Sequence, residues 1–390
     1  MNLNNNITNN PSTEFHEKDT YGNYPDLSHV KHILVIACKN IGDVVLTSPV
    51  FNVLKKMLPD ATIDVILNSG TEEVLMENPA IRKIHLIDSS KQKHSFFTVV
   101  SKFKLCISML LSKYDLSVVL TTGYTAGYLA FLSGAKIRAG VGSRKKSFFG
   151  KKLLLLNFPV QHAPAHRHYI ERNLDCLRKI GLFPNKSLKK TTFYPGEQAE
   201  KQREKLLTGS DIDLQNGYIV IHPTSRWMFK CWEHFKVAKL IDQVYTKLRT
   251  PVVLTSGPDN CEKLYIENLL SCLKSSVVNF SGSLSLRELG SLIQKAKLFI
   301  GVDSAPMHIS CALNTPSIVL FGPSSELDWG PWGNGHRVIT SNSYTCRPCN
   351  RDRCGGSKKS ECLEDIDVQT VFTAVEEILE RDSETNKNQK

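Results

Sequence analysis

The chain has 390 residues, too many for one ordinary core and suited to two domains of about 150–200 residues each. Its 41% hydrophobic and 22% charged residues are those of a normal globular protein, and no run of about 18 apolar residues is present, which excludes a bilayer-spanning helix. The net charge of +11 leaves room for an acidic partner such as phosphorylated lipid, a membrane surface or nucleic acid, but no zinc-finger spacing, RNA-recognition aromatic motif or helix-turn-helix supports a nucleic acid.

Met1 to Tyr24 is Asn-rich and polar. It lacks the apolar stretch of a signal peptide and reads as a disordered tail, with folding expected from about residue 31. His32–Ala37 is a largely apolar run, as in a strand buried on both faces. A loop with Gly42 follows, then a helix expected over Val44–Leu58 and a strand over Thr62–Leu67. This strand–loop–helix–strand order opens a doubly wound unit. Further strands are expected at Ile84–Ile87, Leu116–Leu120 and Leu153–Leu156. After a polar linker, Pro184–Asn216, the pattern restarts. Strands are expected at Gly217–His222, Pro251–Thr255, Val277–Phe280, Leu298–Val302 and Pro316–Phe321. Helices are expected at Trp232–Leu248, Ser285–Lys295, Ser304–Leu313 and Asp367–Arg381, with Ser285 and Glu288 in capping-box relation. The expected architecture is α/β: residues 1–30 as tail, 31–195 and 196–390 as two Rossmann-like domains facing a cleft.

In such sheets ligands sit beyond the carboxyl ends of strands, so the loops there carry the chemistry. Asp43, after Gly42, is a candidate catalytic carboxylate or an ordinary first-turn acid. No Gly-x-Gly-x-x-Gly is present to hold a dinucleotide. His222–Trp227 with Lys230 offers hydroxyls and a cation to a phosphate, or is a plain loop. Gly301–His308 places Asp303 and Ser304 before a helix whose amides can hold an anion, or is a well-capped structural helix in which His308 only packs. Among eleven cysteines, Cys346, Cys349, Cys354 and Cys362 have a spacing compatible with structural zinc, a redox-sensitive pair or packed thiols. Cysteine-rich composition without a signal peptide points to a reducing compartment. Lys136–Arg178 is rich in Lys and Arg, including Arg144, and reads either as a solvated face or as a surface for an anionic partner.

Taken together, Ile41–Pro49, His168–Leu174, Ile221-His222-Pro223 with Lys230-x-Trp232, Asp303–His308, Leu320–Pro323 and Trp329–Gly333 resemble glycosyltransferase family 9, the lipopolysaccharide heptosyltransferases, especially the second- and third-heptose enzymes. The resemblance spans Lys31 to Leu379. It implies a GT-B fold, ADP-L-glycero-D-manno-heptose as donor and the anionic inner core of lipopolysaccharide as acceptor. It also implies an inverting reaction that needs no cofactor or catalytic metal. By position, Asp43 would be the general base, with Thr224, Ser225 and Lys230 on the diphosphate. Asp303 would contact the donor sugar, and Ser304, Ala305, Met307 and His308 would line the donor. Asn40, Arg144 and His168 would lie on the acceptor side. The sequence departs from the family's usual residues at Ala37, Asn40, Cys231 and Ala305. The resemblance places the protein in the cytoplasm of a Gram-negative bacterium, held peripherally at the inner membrane by its basic stretch. Another GT-B transferase, a nucleotide-sugar epimerase or a non-catalytic nucleotide-binding paralogue are the alternatives.

Overall fold

The structure, a computed structural model, describes residues 24–88, 109, 112–142, 145–148, 151–161, 167–210, 217–352, 354–355 and 359–387. The expected tail up to residue 23 and Arg144 lie outside the described residues.

In the first half, β1 (His32–Ile36) is followed by α1 (Ile41–Val45) and α2 (Ser48–Met57). The expected single helix over 44–58 is thus two. Pro49 has no N–H to donate and is tolerated only in a first turn, so α2 starts afresh with Pro49 in its opening turn. Thr47 and Ser48 fill the break by donating their hydroxyls to Val44 O and Val45 O, each at 2.7 Å. Then come β2 (Thr62–Asn68), β3 (Lys83–Ile87), β4 (Leu116–Val119), α3 (Tyr124–Leu132) and β5 (Ile137–Val141). β6 (Lys145–Phe148) and β7 (Lys151–Leu154) pair antiparallel as a separate ribbon, and β8 (Phe158–Val160) and α4 (Tyr169–Arg178) complete the half. Of the strand expected at Leu153–Leu156, Leu153 and Leu154 belong to the ribbon, while Leu155 and Leu156 are buried loop residues, Leu156 packed with Leu34, Ile36 and Ile66.

After α5 (Glu197–Thr208) the second half runs β9 (Ile219–His222), α6 (His234–Gln243), β10 (Val252–Leu254), α7 (Asn260–Cys272) and β11 (Val278–Asn279). It continues with α8 (Leu286–Lys295), β12 (Leu298–Val302), α9 (Ala305–Ala312), β13 (Ser317–Phe321) and α10 (Glu326–Trp329), then β14 (His336–Thr340), α11 (Glu361–Glu364) and α12 (Val368–Lys387). The capping box forms at α8: Glu288 N donates to Ser285 Oγ at 3.2 Å and Ser285 N to Glu288 Oε2 at 2.8 Å. α6 starts two residues later than expected because Trp232 is buried instead, its indole N–H donating to Ile366 O at 3.2 Å.

The two six-stranded sheets have the same order, β3-β2-β1-β4-β5-β8 and β11-β10-β9-β12-β13-β14, with every pairing parallel. Central strands are apolar on both faces: Ile33 to Ile36 and Leu298 to Val302 are almost wholly buried, as a sheet covered by helices on both sides demands. In each sheet the order reverses once, between β1 and β4 and between β9 and β12. A doubly wound sheet opens a crevice at that switch point, beyond the strand carboxyl ends. The loops after β1, β9 and β12 are those that carry Asp43, Lys230 and Asp303.

Candidate active site

Asp43 lies in the first turn of α1, with Asn40 exposed at the N-cap. Its carboxyl is pushed above the ordinary aspartate value chiefly by burial. The Lys39 charge and hydrogen bonds from the Asn40 backbone and side chain oppose that rise, and the Asp303 charge adds to it. Gly42 is not the turn glycine the sequence suggests; it is helical and serves a close approach between the halves. A Cβ there would lie 3.0 Å from His308 Cδ2 and 3.5 Å from Ala305 Cα, both on α9. The backbone carrying Asp43 thus rests directly on the first turns of α9.

Across that contact, Lys230 Nζ lies 2.6 Å from Asp303 Oδ2. Asp303 therefore neither caps α9 nor stands free, as the sequence allowed; it holds the cation expected to meet the diphosphate. Ser304 occupies the N-cap without a side-chain cap bond. Pro306 has no N–H, and Met307 N already donates to Ser304 O at 3.2 Å, so the helix start offers fewer free amides than its sequence implies. The Met307 side chain is buried in the core, which leaves only its backbone near a ligand. His308 is buried, its pKa lowered to about 4 by that burial, and among the described residues its Nδ1 has no partner. It is neutral at physiological pH. Thr224 donates its hydroxyl to Glu262 Oε2 at 2.5 Å, and the same oxygen accepts from Gly257 N at 2.9 Å. The Thr224 hydroxyl thus has no proton left for a phosphate. Ser225 Oγ accepts from Trp227 N at 3.3 Å, and Ser225 N donates to Cys231 Sγ at 3.2 Å.

On the acceptor side, His168 does not stand ready for a ligand. Its Nδ1 accepts from Ile170 N at 3.2 Å, and its Nε2 lies 3.0 Å from Gly330 O, with the ring 4.5 Å from that of Trp332. It is a strut between the halves. Beside it Tyr169 stacks on Trp329 at 4.3 Å and Arg172 pairs with Asp328 at 2.7 Å. Tyr169 and Lys39, which couple to the charge of Asp43, and Asn173, bonded to Lys39, are neighbours that motif reading leaves without a role. The signal available was Lys39 itself, a lysine between a buried strand and the Asp43 turn. The basic stretch is less of a face than its composition suggests. Arg138 donates to Leu155 O and Ala135 O, and Arg178 is buried against Glu171 and Asp175. Arg167 pairs with Asp175 at 2.5 Å. The side chains of the ribbon lysines 145, 146, 151 and 152 lie outside the described residues.

Residues 103–359 match the model of the family described as glycosyltransferase family 9 (heptosyltransferase). The chain belongs to glycosyltransferase family 9. This transferase is 34% identical to lipopolysaccharide heptosyltransferase 3 of Escherichia coli over 87% of its own length and 96% of the relative's. It is 26% identical to lipooligosaccharide heptosyltransferase 2 of Haemophilus influenzae, over 89% and 99%. Its fold matches a family 9 glycosyltransferase structure from Veillonella parvula with a TM-score of 0.77 at 21% identity, covering 92% of this chain and 99% of that one. It also matches the E. coli ADP-heptose heptosyltransferase II structure with a TM-score of 0.71 at 22% identity, covering 90% and 99%. The fold is GT-B, two Rossmann-like halves.

None of the four clustered cysteines of the transferase is in a disulfide. Burial raises the Cys362 thiol pKa; Arg347 opposes this, and Cys354, Cys349 and Cys346 add to it, so the four lie near one another. Among the described residues no group of three or more His, Cys, Asp or Glu is set to hold a metal ion, and structural zinc, one of the three readings the spacing allows, gains no support from the geometry. No described helix is long and apolar enough to cross a membrane.

Proposed function

We propose that this transferase moves a heptose from ADP-L-glycero-D-manno-heptose to a hydroxyl of the anionic inner core of lipopolysaccharide, by a single inverting displacement without a catalytic metal. The observation that carries the reading is the seating of Gly42 on Ala305 and His308. It brings the Asp43 carboxylate of one half to the strand-end loops of the other, where Lys230 and Asp303 lie.

In this reading the acceptor hydroxyl gives its proton to Asp43 as its oxygen bonds the anomeric carbon. The bond from that carbon to the diphosphate breaks on the opposite face, and ADP leaves with the electron pair. A positioned carboxylate of this kind contributes about 10²–10⁴-fold. Burial of Asp43 strengthens it as a base. The charge growing on the diphosphate meets the Lys230 ammonium, which must turn from Asp303 or share itself, and the backbone start of α9. Asp303, released, faces the sugar hydroxyls. Thr224 acts through Glu262 by fixing the loop, and Ser225, Ser304 and Ala305 offer polar or backbone contacts. Asn40, exposed beside Asp43, is the acceptor-side residue best placed to touch substrate. The names of the relatives, two of them heptosyltransferases 3 of E. coli, favour heptose and lipopolysaccharide over other sugars. The ribbon β6–β7 carries Lys145, Lys146, Lys151 and Lys152 and is the element by which the enzyme would rest on the anionic cytoplasmic face of the inner membrane.

The test is mass spectrometry of a truncated core acceptor incubated with ADP-heptose and the enzyme, without added metal. The expected product is heavier by one heptose residue and forms about 10²–10⁴-fold more slowly with Asp43→Asn. Free heptose or an isomerised donor, with the acceptor untouched, would point to an epimerase and overturn the reading.

A further inference from the structure

Lys39 is a charged residue in a buried place. It is 9% exposed, in the loop after β1, four positions before Asp43. Its ammonium donates to Tyr169 Oη at 3.2 Å and to Asn173 Oδ1 at 3.0 Å, and lies 4.4 Å from the centre of the Tyr169 ring. Asn173 is itself fixed by donating to Leu46 O at 2.9 Å, so the end of α1 steadies the α4 side chain that holds the cation. Among the described residues no carboxylate touches it, and a buried charge without a contacting counter-ion is costly. Burial pulls its pKa down to about 8, and the charge of Asp43 is the largest influence holding it up. The attraction is mutual. The Lys39 charge is the largest influence opposing the effect of burial on Asp43.

We propose that Lys39 is a positioning residue for the transfer reaction: a cation fixed by Tyr169 and Asn173 that acts through space on Asp43 and governs how far the solution can be acidified before the base is lost. The inference rests on the reading of Asp43 as the base. Other groups around the pair leave it the dominant cation. Tyr169 and Cys176 on α4 are each pushed up to about 12, first by burial, and stay neutral. His308 on α9 is neutral down to about 4. Asp303 and Lys230 are joined to each other, and Arg172 on α4 is joined to Asp328. An opposite charge favours the ionised carboxylate, so charged Lys39 keeps Asp43 available at lower pH than burial alone would permit.

The test compares wild type, Lys39→Met, Lys39→Arg and Tyr169→Phe. Two readouts are taken on each: kcat/KM against pH, and titration of the Asp43 side-chain carbon by NMR of aspartate-labelled protein, assigned by its loss in Asp43→Asn. Lys39→Met is expected to move both the acidic limb and the Asp43 titration to higher pH, so that the rate at mildly acid pH falls several-fold relative to that at neutral pH. Lys39→Arg is expected to restore the wild-type profile. Tyr169→Phe keeps the ring and removes only the hydroxyl anchor, and is expected to shift both curves the same way by less, which keeps the idea testable if Lys39→Met does not fold. An Asp43 titration unchanged in Tyr169→Phe and in any folded Lys39→Met protein overturns the proposal. If that titration moves while the rate profile does not, the coupling stands and the assignment of Asp43 as base falls.

Discussion

Lys230 and Asp303 form an ion pair of 2.6 Å that ties the loop after β9 to the loop after β12. Both side chains are largely buried, 14% and 9% exposed. In the proposed function a diphosphate donor must compete with Asp303 for the same ammonium.

That competition has a sign. Lys230→Ala should weaken ADP binding at least about tenfold, the scale of one charge-assisted hydrogen bond. Asp303→Asn should leave ADP binding unchanged or tighter, because it frees the cation. Calorimetric titration with ADP checks both. Weaker binding in Asp303→Asn would mean that the pair opens toward the nucleotide and not away from it.

Asp43→Asn should separate activity from stability. If Asp43 is the base, kcat falls about 10²–10⁴-fold while ADP binds normally. An acid whose folded pKa is raised holds its proton more tightly folded than unfolded, so it takes stability away as pH rises through that interval. Burial raises Asp43 in this way. The amide variant should therefore have a higher urea midpoint than wild type at neutral pH, and the gain should shrink as pH falls from the raised folded value of Asp43 to the ordinary aspartate value, below which none remains.

Two histidines predict acid sensitivity. His222 and His308 are buried, and burial lowers each to about 4 from the usual 6.5. The unfolded chain takes up protons there before the folded one does, so stability is full above about pH 6.5 and is lost as pH falls toward 4, by roughly 3 kcal/mol for each at the limit. Urea unfolding across that interval reads the slope. His222→Gln should flatten it if the imidazole and not a carboxylate is responsible.

Gly42→Ala tests the contact between the halves. The added methyl would meet His308 Cδ2 at 3.0 Å, and forcing an extra carbon into packed space costs about 1–3 kcal/mol. Transfer should slow as well, because the methyl moves Asp43 away from α9. The double variant with His308→Ala should recover part of the stability, a coupling that a thermodynamic cycle measures. Additive losses would place the strain elsewhere.

The frame of the protein was legible where burial is complete. β1, β12 and the capping box of α8 follow from apolar runs and one Ser–Glu spacing. The strands that escaped notice have polar or imino residues in them. β5 contains Arg138 and Gly140, β8 has Pro159 and lies at the edge of the first sheet, and β14 begins His336-Arg337 at the edge of the second. An edge or half-covered strand needs no continuous apolar signal. The site was legible as a set of loops, since Asp43, Lys230 and Asp303 all follow central strands. Their partners were not. Nothing in one dimension says that Lys230 meets Asp303, that His168 reaches Gly330, or that Lys39 lies under Tyr169, because each pairing joins segments far apart in the chain.

The three contacts at the start of α4, His168 on Trp332, Tyr169 on Trp329 and Arg172 on Asp328, have a mechanical consequence. Any swing of one half against the other that leaves these contacts made must turn about them. Displacement grows with distance from an axis, so the rims of the crevice travel far while points beside the pivot scarcely move. Tyr169 feels the charge of Asp43, which puts the carboxylate next to that pivot. The carboxylate proposed as the base is mounted where the lever arm is shortest.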